Sequence, residues 1–366
     1  MTGAPLPPYS RKLSSSSTDR KKTCLYSCAP QKYNETQVSK AGYHDMQNVD
    51  AEENCSFVKK QPKVAIFLGT FEGEKFLEEQ LESINCQGYK NWTIYASDDC
   101  SSDNTLSVLK DFQENGVGKL IIQSNKENKG FTANFLSLVC DPKIQADLYA
   151  FSDQDDIWEP HKLQRAVNWI KDIPEDVPAL YCSRTITVNE NNVEEGLSPL
   201  FSKQPSFANA LVQSIGGGNT MLFNNKARDL LVEAGTNVKI ACHDWWAYIL
   251  VTGCGGKVFY DRRPSIRYRQ HGKNYIGSNN SLLARYKRIC MLFQDRFKNW
   301  NRDHINSLSS VKHRLTSENL NTFNLFIKSR EETLFKRLIN LKKSKVYRQT
   351  LLGNLGLYAA CMLKKL

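Results

Sequence analysis

Three short polar clusters in this chain come directly after apolar runs, and their residue types are those that bind ions and ligands. GTFEGE (Gly69 to Glu74) follows KVAIFL, SDDCSSDNT (Ser97 to Thr105) follows WTIYA, and SDQDDIW (Ser152 to Trp158) follows DLYAF. In the third, Asp153, Asp155 and Asp156 crowd into one turn, where carboxylates repel unless cations, donors or water compensate them. Hard oxygen ligands at Asp153 and Asp155 suit Mg²⁺ or Mn²⁺ held together with substrate phosphates. The bland alternative is an acid-rich surface turn, and Asp156 has its own structural reading as the cap of a helix starting near Pro160. In the second cluster Ser101, Ser102 and Asp103 are ordinary helix-start residues. Asp98 and Asp99 lie at the strand terminus, where a carboxylate accepts hydrogen bonds from a ribose or base edge, and Asp99 is the better placed. Farther along, Asp244 in HDWW opens a helix carrying Trp245, Trp246, Ile249 and Leu250; the alternative is that it caps this helix and that the tryptophans are core. His271 in YRQHGKN is a lone histidine, a type more often structural than ligating. The triple glycine Gly216 to Gly218 is followed by no GK[ST] and does not open a helix as GxGxxG, so it is no phosphate loop and instead lets the backbone pass close to a substrate.

The elements that must position these groups are legible from Lys63 onward. Apolar strands (KVAIFLG, WTIYAS, KLIIQ, DLYAFS, ALYCSRTITV) alternate with amphipathic helices carrying Leu77, Leu81 and Ile84, then Leu106, Leu109 and Phe112, then Phe131 to Leu138, then Leu163, Ala166, Val167 and Ile170. This alternation predicts an α/β fold with a mainly parallel sheet. In such a sheet ligands bind beyond the carboxyl ends of the strands, which is where the three clusters lie. Residues 1–60, with a run from Ser14 to Ser17 and no periodicity, read as a disordered extension; residues 61–280 as the catalytic domain; and residues 281–366 as a helical, basic region.

Charge is divided unevenly. The net charge is +11, but residues 1–60 carry nine basic and six acidic side chains, residues 61–280 carry 22 and 27, and residues 281–366 carry 18 and five. An acidic middle argues against nucleic acid as a partner, because a recognition surface for it would be basic. Leu282, Tyr286 and Ile289, and again Leu334, Leu338 and Leu341, fall at i, i+4 and i+7 with basic flanks. They either pack on the catalytic domain or, for Leu334 to Leu366 in particular, meet an anionic membrane surface. The eleven cysteines form no CxxC pair and read as reduced thiols. With no apolar run of signal-peptide or bilayer length, the expected location is the cytoplasm, peripheral on the cytoplasmic face of a membrane.

The ordered series GTFEGEKFLEEQLESI, SDDCSSDNT, FSDQDDIWEPHKL, GGGNTMLFN, HDWWAYIL and YRQHGKN, spanning Lys63 to Asn274, closely resembles family 2 glycosyltransferases, particularly the rhamnosyltransferase-like group. The resemblance implies the GT-A nucleotide-sugar-binding fold, an inverting mechanism, a DXD metal site at Asp153 and Asp155 with Asp153 also facing the donor, and a catalytic base at Asp244. It sets His271 near the metal or donor diphosphate, Gly217 and Gly218 near donor sugar and acceptor, and Thr70, Glu72, Asp98 and Asp99 at the nucleoside. Glu72 departs from the Asn common at that place in related sequences. The expected partners are a nucleoside-diphosphate sugar, with rhamnose suggested, and a glycan or lipid-linked acceptor in polysaccharide biosynthesis. Two rivals stand beside this reading: a sugar-nucleotide nucleotidyltransferase, for which no Lys/Arg-bearing triphosphate loop follows the first strand, and an inactive membrane scaffold.

Overall fold

The computed structural model describes residues 61–115, 119–272 and 295–366. All of them fall in one compact unit, Val58–Leu366. Strand β1 (Val64–Thr70) shows why the chain folds as it does: seven residues without a charge, with Val64, Ile66 and Leu68 in one hydrophobic cluster and Ala65 and Phe67 in another. Successive side chains of a strand point to opposite faces, so a run that is apolar at every position must be covered on both. Helix α1 (Leu77–Asn85) buries Leu77, Leu81 and Ile84, the stripe expected from its spacing. Strand β2 (Trp92–Asp98), helix α2 (Thr105–Glu114), strand β3 (Leu120–Ser124), helix α3 (Phe131–Cys140) and strand β4 (Leu148–Ser152) continue the alternation.

A short strand β5 (Ile157–Trp158) precedes helix α4 (Lys162–Ile170), and the long β6 (Ala179–Val188) is followed by β7 (Glu194–Leu197) and a turn of helix, α5 (Phe207–Ala210). Strand β8 (Leu222–Asn224) runs directly into α6 (Asn225–Ala234), whose N-terminus is capped by the Asn224 side chain accepting from the Ala227 N–H. Helix α7 (His243–Gly253) and strand β9 (Lys257–Arg269) complete the α/β part, and helices α8 (Arg296–Ser310), α9 (Ser317–Glu331), α10 (Leu334–Lys343) and α11 (Leu351–Met362) form the C-terminal region.

The sheet runs in the order β3, β2, β1, β4, β8, β6, β9, β5, with β7 on β6. Its first half is parallel as expected; β8 then enters antiparallel between β4 and β6, and β6 and β9 are again parallel to each other. In the parallel half Thr70 pairs with Asp98 and Asp98 with Ser124, while Ser152 lies beside Leu68. The register therefore brings the first two polar clusters and the Asp153 turn to one edge.

Helices α8 to α11 are not a separate layer. Leu308, Phe323, Phe326, Leu341, Leu357, Ala360 and Cys361 belong to the same hydrophobic cluster as Trp246 and Tyr248 of α7. Leu282, Tyr286 and Ile289 lie outside the described residues. Among those described, no helix is long and apolar enough to cross a membrane, and Cys100, Cys140, Cys182, Cys242, Cys254 and Cys361 are thiols outside any disulfide.

Candidate active site

The first two loops are bound to each other by their own backbone. The N–H groups of Glu72, Gly73 and Glu74 donate to Ser101 Oγ, Thr105 Oγ1 and Asp103 Oδ2. In return Glu72 Oε1 accepts from the Ser102 N–H and hydroxyl at 2.8 Å each, and Glu74 Oε2 accepts from the Asn104 N–H and side-chain amide. These acids satisfy donors at the start of α2, a role that the serines there do not fill from their own side chains. Glu72 sits at φ 49°, in the left-handed region that Asn tolerates better than Glu, which gives a physical reason for the Asn in similar sequences.

Thr70 donates its hydroxyl to Asp98 Oδ1 at 3.0 Å, and Asp98 also accepts from the Ser101 N–H and hydroxyl. Asp99 accepts from Asn125 Nδ2 at 3.0 Å and from the backbone N–H groups of Lys129 and Gly130 at 3.0 and 2.8 Å. Both carboxylates stand at the predicted edge, fully buried, with donors supplied by the protein itself. What they do here is shape the loops that border the edge.

The turn after β4 is fixed by three residues whose importance the sequence did not announce. Gln154, between the two candidate metal acids, pairs with the backbone of Phe71: its Oε1 accepts from the Phe71 N–H and its Nε2 donates to the Phe71 carbonyl, both at 2.8 Å. Arg269, buried at the end of β9, donates from Nε to the Asp155 carbonyl at 3.0 Å and from Nη1 to the Glu190 carbonyl, and it pairs with Glu79 while lying over the Phe76 ring. Asn219 donates from Nδ2 to Asp156. Asp156 is structural, as expected, but as a junction rather than a cap. It is fully buried and also accepts from the Arg269 N–H at 3.3 Å, while α4 begins only at Lys162 without a side-chain cap. A buried Arg two places before His271, on a strand bordering an acid-rich turn, was the signal that could have revealed this network.

The electrostatics of the turn are those of an anion cluster. Burial, then the neighbouring Asp155 and Asp244 carboxylates, push Asp153 up to about 8, and burial with Asp155 and Asp153 raises Asp156 well above the ordinary carboxylate range. His271 Nε2 meets Asp155 Oδ2 at 2.7 Å. Among the described residues no three His, Cys, Asp or Glu side chains converge as a ready-made cage. Mg²⁺ is commonly held by one or two carboxylates together with substrate phosphates, and the mutual repulsion at Asp153 is what a cation would relieve. The donor set fits such an ion.

Asp244 is brought to this turn by α7 and the glycine loop. It lies in the first turn of α7, where Oδ1 accepts from the Trp245 N–H at 2.6 Å and Oδ2 from the Gly218 N–H at 2.9 Å. A β-carbon on Gly218 would lie 2.6 Å from His243 Nε2 and 3.2 Å from Asp244 Cβ; one on Gly217 would lie 2.7 Å from Asn219 Oδ1. The glycines therefore permit a close approach to Asp244 and to the junction at Asp156. His243 stacks on Phe135 at 4.1 Å, both its ring nitrogens lack a protein partner, and burial holds its pKa down to about 4. Trp245 and Trp246 are buried core, the Trp245 indole donating to the Ala210 carbonyl.

A sheet that gathers an aspartate-rich turn, a helix-borne carboxylate and a glycine loop at one edge is the architecture of a group-transfer enzyme of the GT-A type. A family model described as Glycosyl transferase family 2 matches residues 65–231. The dTDP-rhamnosyl transferase RfbG of Shigella flexneri is 30% identical over 229 residues, covering 61% of this chain and 78% of that one. The Escherichia coli UDP-Glc:alpha-D-GlcNAc-diphosphoundecaprenol beta-1,3-glucosyltransferase WfgD is 26% identical over 155 residues, 42% of this chain and 57% of its own. The crystal structure of S. aureus TarS 1-349 in complex with UDP is similar with a TM-score of 0.49 at 14% identity, over 83% of this chain and 89% of that one. The chain belongs to glycosyl transferase family 2, and it is a glycosyltransferase of the rhamnosyltransferase-like kind.

Proposed function

We propose that this enzyme transfers a sugar, with rhamnose the leading candidate, from a nucleoside-diphosphate donor to a hydroxyl of a glycan or lipid-linked acceptor in polysaccharide biosynthesis, with inversion at the anomeric carbon. The carrying observation is that adjacent residues of the glycine loop hold both groups, the Gly218 N–H donating to Asp244 and the Asn219 amide to Asp156, so that the candidate metal turn and the candidate base border one small volume. The name of the Shigella relative is what favours rhamnose.

In this reading Thr70, Glu72, Asp98 and Asp99 form the nucleoside end, Asp99 by holding the Lys129 and Gly130 backbone in place. Asp153 and Asp155, with His271 against the Asp155 carboxylate, would hold Mn²⁺ or Mg²⁺, which would neutralise charge on the departing diphosphate. Gly217 and Gly218 let donor sugar and acceptor lie against the backbone. The acceptor oxygen attacks the anomeric carbon from the face opposite the diphosphate; the carbon–oxygen bond to the diphosphate breaks, and the acceptor proton passes to Asp244. Positioning supplies much of the remaining acceleration. No enzyme nucleophile takes part. The enzyme works at the cytoplasmic face of a membrane, as a lipid-linked acceptor requires.

The test is a panel of nucleotide sugars assayed with and without EDTA. Donor turnover abolished by EDTA and restored by Mn²⁺, giving a product of inverted anomeric configuration, supports the reading. Turnover indifferent to EDTA, or a product of retained configuration, contradicts it.

A further inference from the structure

The C-terminal helices leave an apolar surface that the fold does not use. Helix α11 contains no charged residue, and it buries Leu357, Ala360 and Cys361 on one side. Its other side, Leu351, Leu355, Tyr358 and Met362 at i, i+4, i+7 and i+11 together with Leu352 and Leu363, is exposed. A helix that is apolar all round belongs in a protein core or in lipid, and only half of this one is in a core. Helix α10 packs against it and adds Leu334, Phe335 and Ile339 to the exposed side. Phe335, Leu351 and Leu352 are 79%, 77% and 74% exposed on these two adjoining helices, and a clustered apolar patch, unlike singly exposed residues, marks an interaction surface. At 12 residues α11 is ~18 Å long, too short to span the ~30 Å apolar layer of a bilayer but suited to lying in its surface.

Charge identifies the occupant. Residues 333–366 contain no Asp or Glu, while Lys336, Lys342, Lys343, Lys345 and Lys364 are exposed around the apolar residues. Arg337 and Arg348, which the sequence alone placed with them, are used internally, donating to the carbonyls of Met362 and Val212. A second copy docking here by two-fold symmetry would set lysines largely against lysines, Glu332 at 3.9 Å from Lys336 being the counter-charge the structure places beside them. A surface that is apolar within and anionic at its rim meets both demands. The geometry points to the α10–α11 face as a membrane-docking surface that inserts Phe335, Leu351 and Leu352 at the headgroup boundary of an anionic bilayer, with the five lysines on the headgroups. Because Leu341, Leu357 and Cys361 share a core with Trp246 and Tyr248, the docked helices are coupled rigidly to the helix that carries Asp244. This inference deepens the membrane part of the reading above and rests on it; the test needs no donor, so its failure leaves glycosyl transfer standing.

The full chain is sedimented with phosphatidylcholine vesicles with and without phosphatidylglycerol, at low and high salt. Wild type is expected to bind the phosphatidylglycerol vesicles and to be weakened by salt. A triple variant, Phe335→Ser, Leu351→Ser and Leu352→Ser, is expected to partition at least about tenfold less with its circular dichroism unchanged, since these side chains leave no cavity behind. Replacing Lys342, Lys343 and Lys345 by Gln should remove the preference for phosphatidylglycerol. Absence of wild-type binding, or undiminished binding by the triple variant, overturns the inference. A wild-type dimer in sedimentation velocity that the triple variant converts to monomer, with no vesicle binding, does so as well and names a second copy as the occupant.

Discussion

Gln154 illustrates how a residue without chemistry of its own can decide where chemistry happens. By pairing with both backbone groups of Phe71 it fixes the acid turn to the loop that follows β1, so Asp153 and Asp155 cannot move independently of the loop proposed to hold the nucleoside. Gln154→Ala should therefore raise KM for the donor more than it lowers kcat, and initial-rate kinetics across donor concentration would show the split. Asp155→Asn is expected to act differently. It removes one of several mutually repelling carboxylates, and with it a candidate anionic ligand, so the melting temperature should not fall while transfer is nearly lost. Full activity in that variant would remove Asp155 from the metal site.

At the level of elements, the C-terminal helices support the base helix from behind. His304 on α8 accepts the Ala241 N–H at Nε2, 3.1 Å away, and packs edge-on against Trp245. Burial holds its pKa down to about 4, so the folded state keeps it neutral where the unfolded chain would take a proton below about 6.5. The sign follows: the stability is fully present above that value and is lost as pH falls from there toward 4, at about 1.4 kcal/mol per pH unit for such a group. The raised Asp153 and Asp156 act with the opposite sign as pH falls, so the readout is a difference: from about pH 7 to about pH 4.5 the melting temperature of the wild type should fall relative to that of His304→Gln. A constant difference in melting temperature between wild type and His304→Gln over that window would mean that the His304 imidazole is not held neutral. Gly218→Ala belongs to this scale too. The added methyl meets His243 and Asp244, so the glycine loop must shift away from the base, and kcat should fall with the fold intact.

Across the whole molecule, the sequence disclosed what repeats and hid what is brought together only by folding. Strand β1 and the helix faces at Leu77, Leu81 and Ile84 or Leu163, Ala166, Val167 and Ile170 were legible because burial imposes a period on the residue types. Strand β8 was not, since three residues carry no period, and with it the antiparallel step in the sheet was missed. In the site, Asp153, Asp155 and Asp244 were legible as acids at element ends. The work of Asp98 and Asp99 in holding loops was not, because their partners Thr70, Asn125, Lys129 and Gly130 become neighbours only through the register of the sheet and the loops it aligns. The account turns on Asp244 as the group that takes the acceptor proton. Its most direct measurement is Asp244→Asn, assayed separately for donor binding by titration and for transfer by product formation. The account predicts unchanged donor affinity with turnover reduced by roughly two to four orders of magnitude, the usual worth of general-base help; near wild-type turnover, or loss of donor binding along with turnover, would contradict it.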